Sequence, residues 1–273
     1  MNIIGISYYP LKNYRKSKEA KCCAIFNIVA ETSENTVVTE YEPVKKRSDS
    51  YQSEAALEQE FIRMLCEQGY EYLPIHTESD LVSNLRRQLE ELNHYTFSDT
   101  EWEDFFHNAI ANPNEHIVEK TRKIQEDHIQ NLRRDDGSTK NITLIDKKNI
   151  HNNHLQVINQ YVVSTKDGAK HDNRYDVTVL VNGFPLVHIE LKRRGVAIRE
   201  AFNQIERYQR ESFWSGSGLY EYIQIFVISN GANTKYYSNS TRWNAEREHK
   251  KKGASKTKSS NSFEFTCFWA DAK

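Results

Sequence analysis

The chain has no run of the roughly 18 apolar residues that a membrane-crossing helix needs. Its opening, MNIIGISYYP, lacks the charged segment and long apolar stretch of a secretory signal. Cysteine is scarce, with Cys22 and Cys23 adjacent, Cys66 and Cys267 isolated, and no CxxC spacing. That usage supports neither a zinc site nor a disulfide framework, and it fits a soluble protein of the reducing cytoplasm. None of the ten histidines belongs to an HExxH motif, which argues against a zinc enzyme, and no GxxxxGK[ST] loop is present to hold ATP. An excess of positive charge is missing too: 37 Lys and Arg face 38 Asp and Glu, a formal charge of -1. Any surface for a polyanion must therefore be local. There is no internal repeat.

What is present reads as one large α/β domain behind a short leading segment. Residues 1–50 form an N-terminal arm or small sheet, with strand-like pieces at Ile3–Tyr9, Cys22–Ala30 and Thr36–Glu40 and a basic break at Lys45–Arg47. Ser53 is an N-cap for a helix whose Leu57, Phe61, Met64 and Leu65 recur at helical spacing and which Gly69 ends. Leu81, Val82, Leu85, Leu89 and Leu92 mark a second amphipathic helix. Trp102, Phe105 and Phe106 anchor a third, read as continuing past Asn112–Asn114 into the polar segment 115–132. After a turn at Asp135–Ser138, strands are expected at Thr143–Ile145, Val157–Val163, Tyr175–Val181 and Leu186–Leu191. Val196–Ser212 is expected to be helical and Ile223–Ser229 a buried strand. Glu246–Ser262, with Lys250, Lys251, Lys252, Lys256 and Lys258, reads as a solvated loop, and Phe263–Trp269 resumes a strand pattern. A chain that stops directly after an aromatic strand is expected to continue in its native gene.

The chemistry concentrates where Asn182-Gly183, the dipeptide of a type I′ turn, joins two apolar strands. Strand residues alternate faces, so Glu190 and Lys192 share a side with His188 while Ile189 and Leu191 pack on the other. Hairpin pairing brings Asp176 back towards Glu190, so two carboxylates and a lysine are expected to converge at one sheet edge. Carboxylate oxygens suit Mg²⁺, which would offset charge on a phosphate and activate an attacking water. The lysine can orient that water, and the Leu191 carbonyl is a further candidate metal ligand. A D…ExK pattern by itself is also what a solvated, salt-bridged strand face looks like. Its setting among Val177, Val179, Val181 and Leu186 favours function, because a buried sheet rarely carries carboxylates without a partner.

Asp176 followed by Glu190-Leu191-Lys192 resembles the second and third motifs of PD-(D/E)xK nucleases, and Gln204 and Tyr208 on the next helix match their QxxxY extension. Tyr175 stands where the motif's name has proline. The stretch NRYDVTVLVNGFPLVHIELKRRGVAIREAFNQIERYQRES, followed by IQIFVISNGANTKYY, resembles the nuclease block of type I restriction R subunits. SEAALEQEFIRMLCEQGYEYL is similar to that family's first helix, and FEFTCFWADAK to the segment before its helicase motor; the likeness is weaker before residue 50 and over 75–140.

This resemblance implies a restriction-endonuclease-like fold, α/β with a mixed central sheet flanked by helices, over 51–273. Catalysis would rest on Asp176, Glu190 and Lys192, with Mg²⁺ on Asp176, Glu190 and the Leu191 carbonyl. A first-helix glutamate joins them in the family. Glu58 matches its Leu-Glu dipeptide, and Glu54 lies on the same stripe. Gln204, Tyr208, Arg193 and Arg194 would contact double-stranded DNA, with Arg199, Arg207 and Arg210 nearby as either phosphate contacts or ordinary helix charge. Methyltransferase and specificity subunits would be partners, and ATP would bind only in a downstream motor. The competing readings are a stand-alone repair or recombination nuclease and a docking or DNA-holding module with a dead site.

Overall fold

The computed structural model describes residues 26–31, 37–41, 53–239, 261–264 and 266–269. The chain divides into two units, Met1–Ser50 and Tyr51–Lys273. In the first, β1 (Phe26–Glu31) and β2 (Val37–Tyr41) pair antiparallel, with a register shift between Ile28 and Ala30. The strand expected at Ile3–Tyr9, the Cys22-Cys23 pair, the break at Lys45–Arg47 and the lysine-rich stretch 246–260 lie outside the described residues.

In the second unit Ser53 caps α1 (Glu54–Glu67) by accepting a hydrogen bond from the Ala56 amide, as its hydroxyl and position suggest. Thr77 does the same for α2 (Glu78–Asn93), whose Leu81, Leu85 and Leu89 are fully buried. Each such leucine contributes about 1.5–3 kcal/mol by leaving water. Ser98 and Glu101 close a capping box at the start of α3 (Asp99–Phe105).

The third helix does not run on to residue 132. It loosens into a π turn over Phe106–Ile110 and stops, because Pro113 brings no amide hydrogen and disfavours helix in the residue before it. The carbonyls it leaves are taken up from elsewhere: Lys123 donates to Ala109, and the Tyr222 hydroxyl to Ile110 at 2.8 Å. A separate helix, α4 (Ile117–Gln125), follows. Residues 129–143, read partly as helix and partly as a strand at 143–145, form instead a two-stranded sheet of β4 (Ile129–Arg133) and β5 (Thr139–Thr143) around the Asp135–Ser138 turn.

The main sheet has seven strands. β3 (Glu71–Tyr72) is one edge, followed by β6 (Leu155–Val163), β7 (Asn173–Val181), β8 (Phe184–Leu191), β9 (Ile225–Ser229), β10 (Thr234–Ser238) and, at the other edge, β11 (Cys267–Trp269). The β3–β6 and β8–β9 pairs are parallel and the rest antiparallel. The sheet is thus mixed and flanked by helices, as expected. The strand read over Phe263–Trp269 shortens to its last three residues, behind a helical turn at Asn261–Glu264. α5 (Ile198–Glu211) carries the crossover between parallel β8 and β9. Among the described residues no helix is long and apolar enough to cross a membrane.

The two faces of the sheet are covered differently. Val157, Val177, Val179, Ile189 and Leu191 pack against Leu57, Phe61, Ile62 and Leu65 of α1. The larger cluster joins α2, α3 and α5 to Ile158, Tyr161, Tyr175, Leu180 and Phe226. This partition shows a break in strand alternation. Ile158 and Tyr161, three residues apart, share a cluster, whereas Tyr175 and Val177, two apart, do not. Between them lie Gln160 and Asp176. Gln160 has a left-handed backbone, φ 53°, inside a strand, a conformation that costs a non-glycine residue on the order of 1–3 kcal/mol.

Asn182 and Gly183 take the left-handed angles of a type I′ turn, φ 49° and 82°. A Cβ on Gly183 would lie 2.6 Å from the Leu85 Cα of α2. Gly183→Ala is therefore expected to destabilise the domain by roughly 2 kcal/mol or more, through strain and backbone overlap together. Calorimetric melting checks this; an unchanged melting temperature would show that α2 does not press on the turn.

Candidate active site

β7 and β8 run antiparallel from the Asn182-Gly183 turn, so the start of β7 lies beside the end of β8. Val177 faces Ile189 in the register, which sets Asp176 next to Glu190 and Leu191. The Leu191 amide donates to Asp176 Oδ2 at 2.9 Å. Lys192 Nζ donates to Glu190 Oε1 at 3.0 Å and to the Leu191 carbonyl at 3.1 Å. Asp176, Glu190, Leu191 and Lys192 thus meet in one place. That place is the end of two central strands rather than a sheet edge, since β6 flanks β7 and β9 flanks β8.

Burial dominates the electrostatics. Glu190 is fully buried, and loss of hydration pushes its carboxyl up to about 7, against the pull of Lys192. Asp176 is raised to about 7 as well, first by desolvation and then by repulsion from Glu190, which the Leu191 amide and Lys192 only partly offset. His188 lies behind Glu190, its Nε2 3.5 Å from Glu190 Oε2. Burial depresses this imidazole to about 4, so near neutrality the ring is uncharged and the contact is not an ion pair. Glu190 Oε2 is left buried without a hydrogen-bond donor.

Both first-helix candidates face this place. Glu54 Oε1 accepts from the Arg193 amide at 3.2 Å and repels Glu190. Glu58, 7% exposed, accepts from the side-chain amides of Asn159 and Gln160. Desolvation raises its carboxyl, those two amides lower it, and Asp176 is close enough to add repulsion. Asn159 and Gln160 are the residues that sequence reasoning missed. Polar letters in a strand carry no signal that they reach a helix a hundred residues away.

Arg193 and Arg194 are exposed on the turn after β8. Gln204 and Tyr208 are placed differently from one another. Gln204 is half-buried and donates its amide to the Tyr208 hydroxyl. Tyr208, expected to face DNA with it, is 1% exposed, and its hydroxyl donates to the Arg174 carbonyl at 3.0 Å. It ties α5 to β7 two residues before Asp176. Arg207 lies 5.4 Å from the Tyr208 ring centre, Arg199 4.3 Å from that of Phe263, and Arg210 is exposed.

The family model for the type I restriction enzyme R protein N terminus matches residues 51–245. The chain belongs to that family. It is 46% identical over 243 residues to the type I restriction enzyme EcoprrI endonuclease subunit of Escherichia coli, a match covering 89% of this chain and 72% of that protein. It is 40% identical over 195 residues to the SauMSSORF170P endonuclease subunit of Staphylococcus aureus (strain MSSA476), covering 70% of this chain but 20% of that subunit. A putative type I restriction enzyme endonuclease subunit of Methanocaldococcus jannaschii, MjaIXP, is 33% identical over 107 residues, 38% of this chain and 10% of that protein. The matched region contains the whole β7–β8 hairpin and α5.

For this R protein N terminus the resemblance implies a divalent cation, and the residues fit one. Buried Glu190 and half-buried Asp176 stand beside a single ammonium, which pairs with Glu190, and the second Glu190 oxygen is buried without a donor. Among the described residues no three His, Cys, Asp or Glu side chains stand in metal-ligating geometry. The donors on offer are therefore Asp176, Glu190 and the Leu191 carbonyl, a hard oxygen set suited to Mg²⁺.

The raised carboxyls set a pH dependence. With folded values near 7 and unfolded values near ~4, the folded protein retains protons that the unfolded chain has released. Their stabilising contribution is complete below ~pH 4 and disappears as pH rises through ~7. Without divalent cation, the melting temperature is expected to fall over that interval more steeply than in Glu190→Gln. Added Mg²⁺ should raise it near ~pH 8 and scarcely at ~pH 5. Identical pH profiles for wild type and Glu190→Gln would contradict this account.

Proposed function

We propose that this chain is the DNA-cleaving part of a type I restriction enzyme, hydrolysing phosphodiester bonds of double-stranded DNA with Mg²⁺ held by Asp176, Glu190 and the Leu191 carbonyl. The observation that carries the reading is the meeting of Asp176, Glu190 and Lys192 at the end of β7 and β8, with more buried negative charge than the lysine offsets. The names of the relatives, endonuclease subunits of type I restriction enzymes, support it. When bound, Mg²⁺ supplies a Lewis acid for the phosphate and a lower pKa for an attacking water.

The protein's own groups account for the remaining requirements. Hydrolysis adds water across one P–O bond, so the water loses a proton as its oxygen bonds to phosphorus and the leaving oxygen gains one. Lys192, held by Glu190 and the Leu191 carbonyl, presents an ammonium where negative charge develops and orients the water through an N–H donor. Asp176 is itself fixed by the Leu191 amide, so both carboxylates are in place before substrate arrives. Glu58 and Glu54 add negative field. Arg193 and Arg194 contact backbone phosphates, which lends affinity without sequence choice. Gln204 is the outer member of its pair and reaches towards the cleaved strand, while Tyr208 holds β7 in position.

The chain spans about a fifth of the staphylococcal relatives it matches. We assign site recognition to specificity and methyltransferase partners, and ATP-driven translocation to a motor outside this region, all in the cytoplasm. In the complete restriction complex, Asp176→Ala, Glu190→Ala or Lys192→Ala is expected to reduce double-strand cleavage on the order of a hundredfold or more. ATP hydrolysis and translocation should persist. Cleavage that survives all three substitutions, or translocation lost with cutting intact, would refute the assignment.

A further inference from the structure

Consecutive residues of a strand point to opposite faces, so neighbours do not normally grip one group. Asn159 and Gln160 do. Asn159 Nδ2 donates to Glu58 Oε1 and Gln160 Nε2 donates to Glu58 Oε2, so a single carboxylate takes both amides. The left-handed backbone at Gln160 makes this possible. Of the non-glycine residues with positive φ among those described, His94 caps α2 and Asn182 lies in the hairpin turn; Gln160 alone lies within a strand.

Its position is informative. In the register Asn159 faces Val177 and Tyr161 faces Tyr175, which sets Gln160 against Asp176. The strained residue and the candidate metal carboxylate occupy the same step of the ladder, where both strands lose their alternation. The Asn159 amide is oriented in turn: the Tyr72 hydroxyl of β3 donates to Asn159 Oδ1 at 2.9 Å, leaving Nδ2 for Glu58. Glu58 forms no ion pair among the described residues; its two oxygens are held by the amide donors, and Arg174 adds only a weaker, longer-range attraction.

We propose that Asn159 and Gln160 are positioning residues, a two-amide clamp built on the left-handed backbone of Gln160 that fixes Glu58 beside Asp176 as an outer carboxylate of the divalent-cation site. The inference rests on the nuclease reading above. Outer groups that orient a metal's surroundings commonly change affinity about 10- to 100-fold when removed. Backbone strain kept in a strand is accounted for when it delivers a carboxylate to such a site.

The test is calorimetric titration of Mn²⁺ into the full chain, with melting in EDTA as a parallel measurement. Gln160→Gly removes the amide and suits the backbone angle, so its EDTA melting temperature should equal or exceed that of wild type. Its Mn²⁺ affinity should fall about tenfold, as should that of Asn159→Leu and Glu58→Gln. Wild-type affinity in Gln160→Gly and Glu58→Gln, with Mn²⁺ binding abolished in Asp176→Ala, would overturn the clamp and leave the nuclease reading standing. Undiminished Mn²⁺ binding in Asp176→Ala would remove that reading itself. A Gln160→Gly protein that melts lower and binds Mn²⁺ normally would make the residue structural.

Discussion

Two carboxylates taken out of water side by side, with one ammonium between them and the solvent, are the constraint around which the larger unit is organised. Asp176 and Glu190 repel each other, and burial denies both the hydration that would make their charges easy to hold. Two groups limit the cost, the Leu191 amide on Asp176 and Lys192 on Glu190, while the imidazole behind is uncharged and offsets none of it. The remaining imbalance is what a hard divalent cation would correct. Because the pair lies at the ends of central strands, β6 and β9 keep water from its flanks. Charges aimed at a substrate there act with less screening than at an open edge.

Rigidity comes from the two layers on either side. On one face, Leu57, Phe61 and Leu65 seat α1 on the valines of β7 and on Ile189 and Leu191, which brings Glu54 and Glu58 to the site. On the other, Tyr175, Tyr208, Phe213 and Tyr220 pack around His188 with ring centres 4.6–6.1 Å apart. The Tyr208 hydroxyl on the Arg174 carbonyl fixes α5 to the strand that carries Asp176. A tyrosine that the family resemblance would set against DNA is thus part of the frame. Burial of a ring of that size decides the matter, since its apolar area stabilises the protein more inside than on an exposed helix.

The local grammar of the chain was legible. Ser53, the leucine stripe of α2 and Asn182-Gly183 act through a cap, a periodicity and a turn angle, each complete within a few residues, and each is where it was read. The Asp176, Glu190 and Lys192 cluster follows from the same arithmetic, because a hairpin with a known turn fixes which residues face each other. The mixed α/β class follows from the order of these elements. Where readings failed, the deciding contacts were distant. The end of the third helix depends on Lys123 and Tyr222 taking its freed carbonyls, and the β4–β5 hairpin displaced a helix that polar letters alone did not exclude.

The sequence by itself determined the caps, the hairpin, the chemical types at its end and the family to which they belong, since all of these are set by neighbours along the chain. Only the tertiary structure decided that the cluster sits at mid-sheet, that Tyr208 turns inward and that Gln160 adopts a left-handed backbone to reach Glu58. Those outcomes are set by partners 34, 101 and 102 residues apart for the Tyr208, Asn159 and Gln160 contacts. Their free energies depend on burial and on donors meeting acceptors across the fold, which no window of sequence contains.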